Sequence, residues 1–311
     1  MQNQSYKSDL LLLLTAAIWG FAFVAQRAGM EFVGPFTFNG IRFALGSISL
    51  LPLLLLKGNQ RKNPDDFKNS WSKDLLISGL LLGFVLFLAA TFQQVGMVYT
   101  SAGKAGFITG LYVILVPVIS IFMKKKTSVN IWVGAIIAVF GLYFLSVKEN
   151  FGIENGDLLV LASALFFAIH ILLISNFSPR MSAIRLSIVQ FAVCSMLSLS
   201  TAFFTETIIL ENILKAAIPI IYGGVFSVGV AYTLQIVGQK HAHASAASII
   251  LSLESVFAVF GGWLILSEQL SVRGMAGCLL MLLGMVLSQI NPGIFKVSFS
   301  KKNKTLSQRE I

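Results

Sequence analysis

Apolar residues along this chain neither alternate nor keep to one helical face; they come in long blocks separated by short polar segments. A bilayer core about 30 Å thick is crossed by roughly 20 helical residues at about 1.5 Å each. That template fits ten times, over 9–27, 36–56, 74–95, 101–123, 129–147, 157–176, 184–204, 215–236, 243–266 and 271–291. A membrane barrel would alternate outward apolar and inward polar positions, whereas LLLLTAAIWG and LYVILVPVISIF are apolar on every side. The pattern predicts an all-α polytopic membrane protein with ten transmembrane helices. The turns between the sixth and seventh helices and between the eighth and ninth are expected to be tight.

The blocks also repeat. DLLLLLTAAIWG at Asp9 matches DLLVLASALFFA at Asp157, and VGAIIAVFGLYFL matches AGCLLMLLGMVL, setting Gly134 and Gly141 against Gly277 and Gly284. Gln93-x-x-Gly96 recurs as Gln235-x-x-Gly238. The expected organisation is a first five-helix repeat over 1–147, a second over 148–291, and a basic cytoplasmic tail over 292–311. Because five is odd, the second repeat enters the membrane inverted. Inverted repeats characterise secondary transporters, in which two similar halves generate two states of similar energy open to opposite sides.

Composition agrees: 56% of the 311 residues are hydrophobic and 12% are charged, with a mean hydropathy of +0.82. A net charge of +10 would point to nucleic acid in a soluble protein. Here the basic residues sit in the short connections, where they report topology, and a nucleic-acid partner is excluded. With a cytoplasmic N-terminus, the inside connections hold Lys57, Arg61, Lys62, Lys68, Lys73 and Lys124 to Lys126, while Arg27, Lys148, Lys215 and Arg273 are the outside cations. Both termini are therefore expected in the cytoplasm. Cys194 and Cys278 lie inside apolar blocks and suggest neither a disulfide framework nor a thiolate metal site. Leu10 to Ala25 reads as a retained helix rather than a cleaved leader.

The segment YTSAGKAGFITG places Lys104 among glycines. A phosphate-binding loop requires G-x-x-x-x-G-K-[ST] between a strand and a helix. The first glycine position is Val98, the residue after Lys104 is Ala105, and the flanks are membrane helices, so the nucleotide reading fails. Lys104 then either snorkels to the headgroups or faces a cavity and attracts anionic groups of a substrate.

TAAIWGFAFVAQRAG, PFTFNGIRFALG, VGMVYTSAGKAGFITGLYVILVPVISIF and LESVFAVFGGWLILSEQLSVRGMAGCLLMLLGMVL together resemble the EamA family of the drug/metabolite transporter superfamily, from about Asp9 to Ile290. The resemblance implies a ten-helix permease of the inner (cytoplasmic) membrane with a central cavity, in a family that includes exporters of amino acids, metabolites and toxic compounds. It does not carry over a substrate. Where the family often has Leu-Glu-Pro in the ninth helix, this chain has Leu253-Glu254-Ser255, while the fourth helix keeps Pro117. Without that proline the ninth helix is expected to be straighter than in relatives.

Glu254 lies near the bilayer midplane, where a carboxylate is costly unless it meets a partner or water. It is a candidate for binding a substrate amine or carrying a coupled proton; the alternative is a neutral acid bonded to a neighbouring helix. Lys104, Trp19, Tyr112, Gln93, Gln94 and Gln235 complete the candidate substrate-binding set, although amide bonds between helices explain the glutamines equally well. His170 is a second candidate for proton coupling, against a hydrogen-bonded neutral imidazole. Arg42, where the family pattern also has arginine, is expected as a structural intramembrane charge held by a salt bridge or by backbone carbonyls. Gly79, Gly83, Gly106, Gly110, Gly134 and Gly141 are expected to let helices approach closely.

The reading is a secondary transporter of a small polar or amphipathic metabolite, such as an amino acid or drug-like compound, working by alternating access. It is not read as an enzyme, and no cofactor or metal is expected. The partners are a small-molecule substrate and the lipid bilayer, with a homodimer left open. The competing readings are a polytopic membrane enzyme, which would need clustered acidic or histidine residues near one interface, and a channel or non-transporting sensor.

Overall fold

In the computed structural model the described residues are 2–58, 71–100, 102–124, 127–146, 155–266 and 271–289. Among them eight helical spans are long and apolar enough to cross a bilayer, and two shorter apolar helices, Val129–Phe144 and Val272–Ser288, bring the count to ten. No strand occurs among the described residues. The fold is all-α and polytopic. The tail 292–311 and the side chain of Lys104 lie outside the described residues.

The first helix is Gln2–Gly29; the second is Pro35–Ser49 continued by Leu51–Gly58; the third is Lys73–Tyr99. The fourth consists of two pieces, Ala102–Gly110 and Tyr112–Phe122, and the fifth is Val129–Ser146. The sixth is Asn155–Phe177 and the seventh Ala183–Thr205. The eighth opens as Ala217–Ile221, runs through a π-helical stretch at Tyr222–Tyr232 and ends as Thr233–Gln239. The ninth is Ala244–Leu251 followed by Glu254–Leu266, and the tenth is Val272–Gln289. Large apolar side chains such as Phe122 and Phe204 stand more than 80% exposed on the outside of the bundle. That surface would be strongly unfavourable in water and suits hydrocarbon.

The packing repeats where the sequence does. A methyl added at Gly96 would lie 2.6 Å from Val160 and 2.9 Å from the Gly156 carbonyl; one at Gly238 would lie 2.9 Å from Leu12 and 3.1 Å from the Ser8 carbonyl. In the alignment of Asp9 with Asp157, Leu12 and Ser8 take the places of Val160 and Gly156. Third against sixth and eighth against first are thus the same contact made twice. The fifth and tenth helices cross antiparallel: a Cβ at Gly134 would meet the Gly284 carbonyl at 2.6 Å and one at Gly141 the Gly277 carbonyl at 2.8 Å. Two aligned helices that exchange equivalent contacts in opposite directions are related by a pseudo-twofold axis in the membrane plane. Gly106 departs from expectation, because nothing lies within 4 Å of an added Cβ there.

The ninth helix is interrupted although it lacks that proline. Its pieces meet at Ser252 and Leu253, where Leu253 N donates to Ile250 O and Ser255 N to Ser252 O, tightening the turn to three-residue bonds. The Ser248 and Ser252 hydroxyls also donate back to Ser245 O and Ile249 O, each at 2.8 Å. Such back-bonding competes with the helical ladder and bends it. Serines here do what Pro117 does in the fourth helix, where the break falls at Leu111, just ahead of the carbonyl that the proline leaves unpaired.

Candidate functional site

The two interrupted helices come from opposite halves and meet at their breaks. Tyr112 is the first residue of the second piece of the fourth helix, and Glu254 opens the second piece of the ninth. The Tyr112 hydroxyl donates to Glu254 Oε1 at 3.0 Å, and the Ser255 hydroxyl donates to Gly106 O at 3.1 Å. Glu254 is 4% exposed.

Beside this junction lies a cavity. Its wall brings together Trp19, Arg42, Gln93, Tyr112, Gln235 and Glu254, all singled out in the sequence. The first helix contributes one stripe, Trp19, Ala22, Phe23 and Gln26, spaced as neighbours on a helix face. Trp19 is fixed from behind by a bond from Nε1 to Ser227 O, 3.1 Å, and packs at a tilt against Tyr232 with ring centres 4.5 Å apart. Ser227 and Tyr232 belong to the π-helical stretch, a local widening that often accompanies functional sites. Gln93 donates to Thr109 Oγ1 at 3.1 Å, so one end of its amide is already used. Gln26 Oε1 and Gln235 Oε1, both buried, accept no hydrogen bond among the described residues.

Arg42 differs from expectation. Among the described residues no carboxylate lies within 4.0 Å of it, and its Nε has no hydrogen-bond partner. Among the described residues neither a salt bridge nor a carbonyl clamp holds it. Its guanidinium instead lies 5.1 Å from the centre of the Phe43 ring and 5.6 Å from that of Phe38, one edge on the cavity. Helix position explains part of this: Phe38, four residues back, lies on the face of the second helix that carries Arg42, and no acidic residue occurs between Glu31 and Asp65.

Two candidates are not brought to the cavity. Gln94 is fully buried with both amide atoms unpartnered, but it follows Gln93 by about 100° around the helix and faces elsewhere. His170 is fully buried behind the cavity wall, its Nε2 3.0 Å from Gln190 Oε1 and its ring edge-on to Tyr232 at 6.1 Å. No bond connects it to Glu254. Conversely, Gln26, Phe167, Ile171, Ser227 and Tyr232 line the cavity without having been singled out as wall residues. The three- and four-residue spacings from Trp19 to Gln26 and from Phe167 to Ile171 were the available signal.

A family model described as the EamA-like transporter family matches residues 6–147 and 154–289. An uncharacterized transporter of Archaeoglobus fulgidus is 36% identical over 286 residues, covering 90% of this chain and 85% of its own length. The uncharacterized transporter YoaV of Bacillus subtilis is 27% identical over 288 residues, covering 91% and 96%. A solved crystal structure superposes with a TM-score of 0.75 over 91% of this chain and 96% of its own, at 16% identity, which shows the shared fold.

Proposed function

The chain belongs to the EamA-like transporter family, and on that premise we propose that it is a secondary carrier of a small polar or amphipathic metabolite, such as an amino acid or drug-like compound, working by alternating access. Residues 1–147 and 148–291 act as the two halves, and the substrate occupies the cavity between them. Glu254, Tyr112, Trp19, Gln93 and Gln235 contact it. Residues 292–311 form a basic tail, both termini face the cytoplasm, the membrane is the cytoplasmic one, and the direction is outward.

The observation that carries this reading is the Tyr112–Glu254 hydrogen bond between two helix breaks of opposite halves, on the wall of a polar-lined cavity. Broken helices at membrane depth occur where they line a cavity, and in carriers they build the midplane site. Glu254 is also the group placed to couple a proton to transport.

Reconstituted protein tested for counterflow decides the matter. A carrier saturates and exchanges internal for external solute, and Glu254→Gln at equal reconstitution abolishes that exchange. Unsaturable flux without counterflow would instead indicate a channel, and full exchange by Glu254→Gln would remove that residue from the mechanism.

A further inference from the structure

Arg42 is only 3% exposed, yet it stands on the cavity wall. A guanidinium carries five N–H donors in a planar fork and a charge that does not titrate away. Among the described residues none of those donors makes a hydrogen bond, and no carboxylate lies within 4.0 Å. Tyr232 and Cys194 are near enough to feel the charge, but neither bonds to it. The Phe38 and Phe43 rings attract the cation and offer its N–H groups no oxygen. The protein also leaves room beside this side chain: a methyl added at Gly223, in the π-helical stretch, would come no closer than 3.5 Å to Arg42 Cδ and 3.6 Å to Phe38, whereas one at the next residue, Gly224, would press to 2.7 Å on Leu45.

A buried cation with empty donors is costly in a low-dielectric interior. Water fills the donors and leaves the charge. A small anion does both, accepting from two N–H groups at once and cancelling the charge. We propose that Arg42 holds a small monovalent inorganic anion, of the chloride class, on the cavity wall. Charge matching selects that class: Arg42 is the single cation among the residues that line the cavity, so a doubly charged oxyanion would be left half neutralised. A halide also gives up its water more readily than phosphate or sulfate does, which suits a site beside Phe38 and Phe43. The site stands whether or not the cavity carries a solute, and so it is independent of the carrier reading. The carboxylate of a solute is the other source of such an anion, and the test separates the two.

The test is thermal melting of the full chain, purified in detergent and exchanged into sodium gluconate, with chloride replacing gluconate at fixed ionic strength and acetate replacing it in a parallel series. Chloride at about ten times its dissociation constant should raise the melting temperature by about 3–6 °C along a saturating curve, and bromide should do the same. Arg42→Gln should abolish the rise. Arg42→Lys, which keeps the charge but loses the planar fork, should move half-saturation severalfold upward and serves if the glutamine variant does not fold. Glu254→Gln, which removes the one carboxylate on the wall, should leave the rise in place or strengthen it. The proposal is overturned if chloride and gluconate give the same melting temperature, if the rise grows without saturating, as a general salt effect does, or if the Arg42 variants respond as the unaltered chain does. Loss of the rise in Glu254→Gln would overturn it too. A rise with acetate that equals or exceeds the one with chloride would assign the fork to a carboxylate and sink the halide site. No flux is measured, so failed counterflow leaves these curves standing, and flat curves leave the carrier reading standing.

Discussion

Glu206 follows the end of the seventh helix and closes the start of the second. Its Oε1 accepts Phe36 N at 2.8 Å; its Oε2 accepts Thr37 N at 2.8 Å and the Thr37 hydroxyl at 2.6 Å. The second helix needs this, because its own N-cap is Gly34, which has no side chain to offer, and Pro35 follows it. A capping side chain contributes about 1 kcal/mol, and bonds to an ionised acceptor are roughly twice as strong as neutral ones. Water can replace part of the loss at this half-buried site, so Glu206→Ala should cost about 2 kcal/mol. At about 2–4 °C per kcal/mol for a chain of this order of size, the melting temperature in detergent should fall by about 4–8 °C. The internal comparison is Glu211→Ala, which removes a 2.7 Å contact to Lys215 whose side chains are 52% and 75% exposed. That pair should contribute about 0.5 kcal/mol or less. Gly34→Ala should act in the same direction as Glu206→Ala, since its new Cβ would press on the Glu206 carboxyl group. If the Glu206 and Glu211 variants melt within about 1 °C of each other, the capping argument is wrong.

Three further outcomes follow from the geometry. Tyr112→Phe deletes the 3.0 Å bond to Glu254 with almost no change in volume; it should cost about 1–2 kcal/mol of stability and weaken counterflow, and unchanged melting and transport would detach Tyr112 from the site. Gly134→Ala should destabilise by about 1–3 kcal/mol, because its Cβ meets the Gly284 carbonyl at 2.6 Å, whereas Gly106→Ala, with open space around it, should be neutral or stabilising by up to about 1 kcal/mol; paired melting curves in the reverse order would refute this. Ser255→Pro should cost clearly less than the roughly 3 kcal/mol of a proline in a helix interior, since position 255 lies in the first turn of Glu254–Leu266 and its N–H makes only a 3.2 Å bond to Ser252 O; a drop in melting temperature beyond about 10 °C would contradict the break seen there.

The ten spans were legible because a bilayer imposes a length on every crossing segment, and the repeat because Gln93-x-x-Gly96 and Gln235-x-x-Gly238 keep the glycines that the crossings need. The azimuth of each side chain was not legible. When a helix is apolar all round, its pattern does not say which side faces lipid, so Gln93 and Gln94 looked alike although only the first reaches the cavity. The interruption of the ninth helix was hidden for another reason: serine breaks a helix through where its hydroxyl bonds, which depends on the fold, whereas proline does so through its ring wherever it stands. For Arg42 the premise that a buried cation needs a partner led to a salt bridge or a carbonyl clamp, whereas among the described residues the Phe38 and Phe43 rings lie beside its guanidinium.

The symmetry of the scaffold and the asymmetry of its polar groups have separate consequences. Crossings such as Gly96 on Val160 and Gly238 on Leu12 are equivalent, which is the packing symmetry that the proposed alternating access would use. The polar groups are not equivalent. The second helix starts under the Glu206 carboxylate, while the seventh, its counterpart in the repeat, starts at Ser182, whose side chain makes no capping bond. The cavity wall likewise takes Arg42 from the second helix and Glu254 from the ninth, two helices that are not counterparts in the repeat. A scaffold that is nearly indifferent between two states is biased by whichever few groups break its symmetry, and a shift of about 1.4 kcal/mol moves such an equilibrium tenfold. On the proposed carrier reading, direction and selectivity rest on a handful of polar side chains.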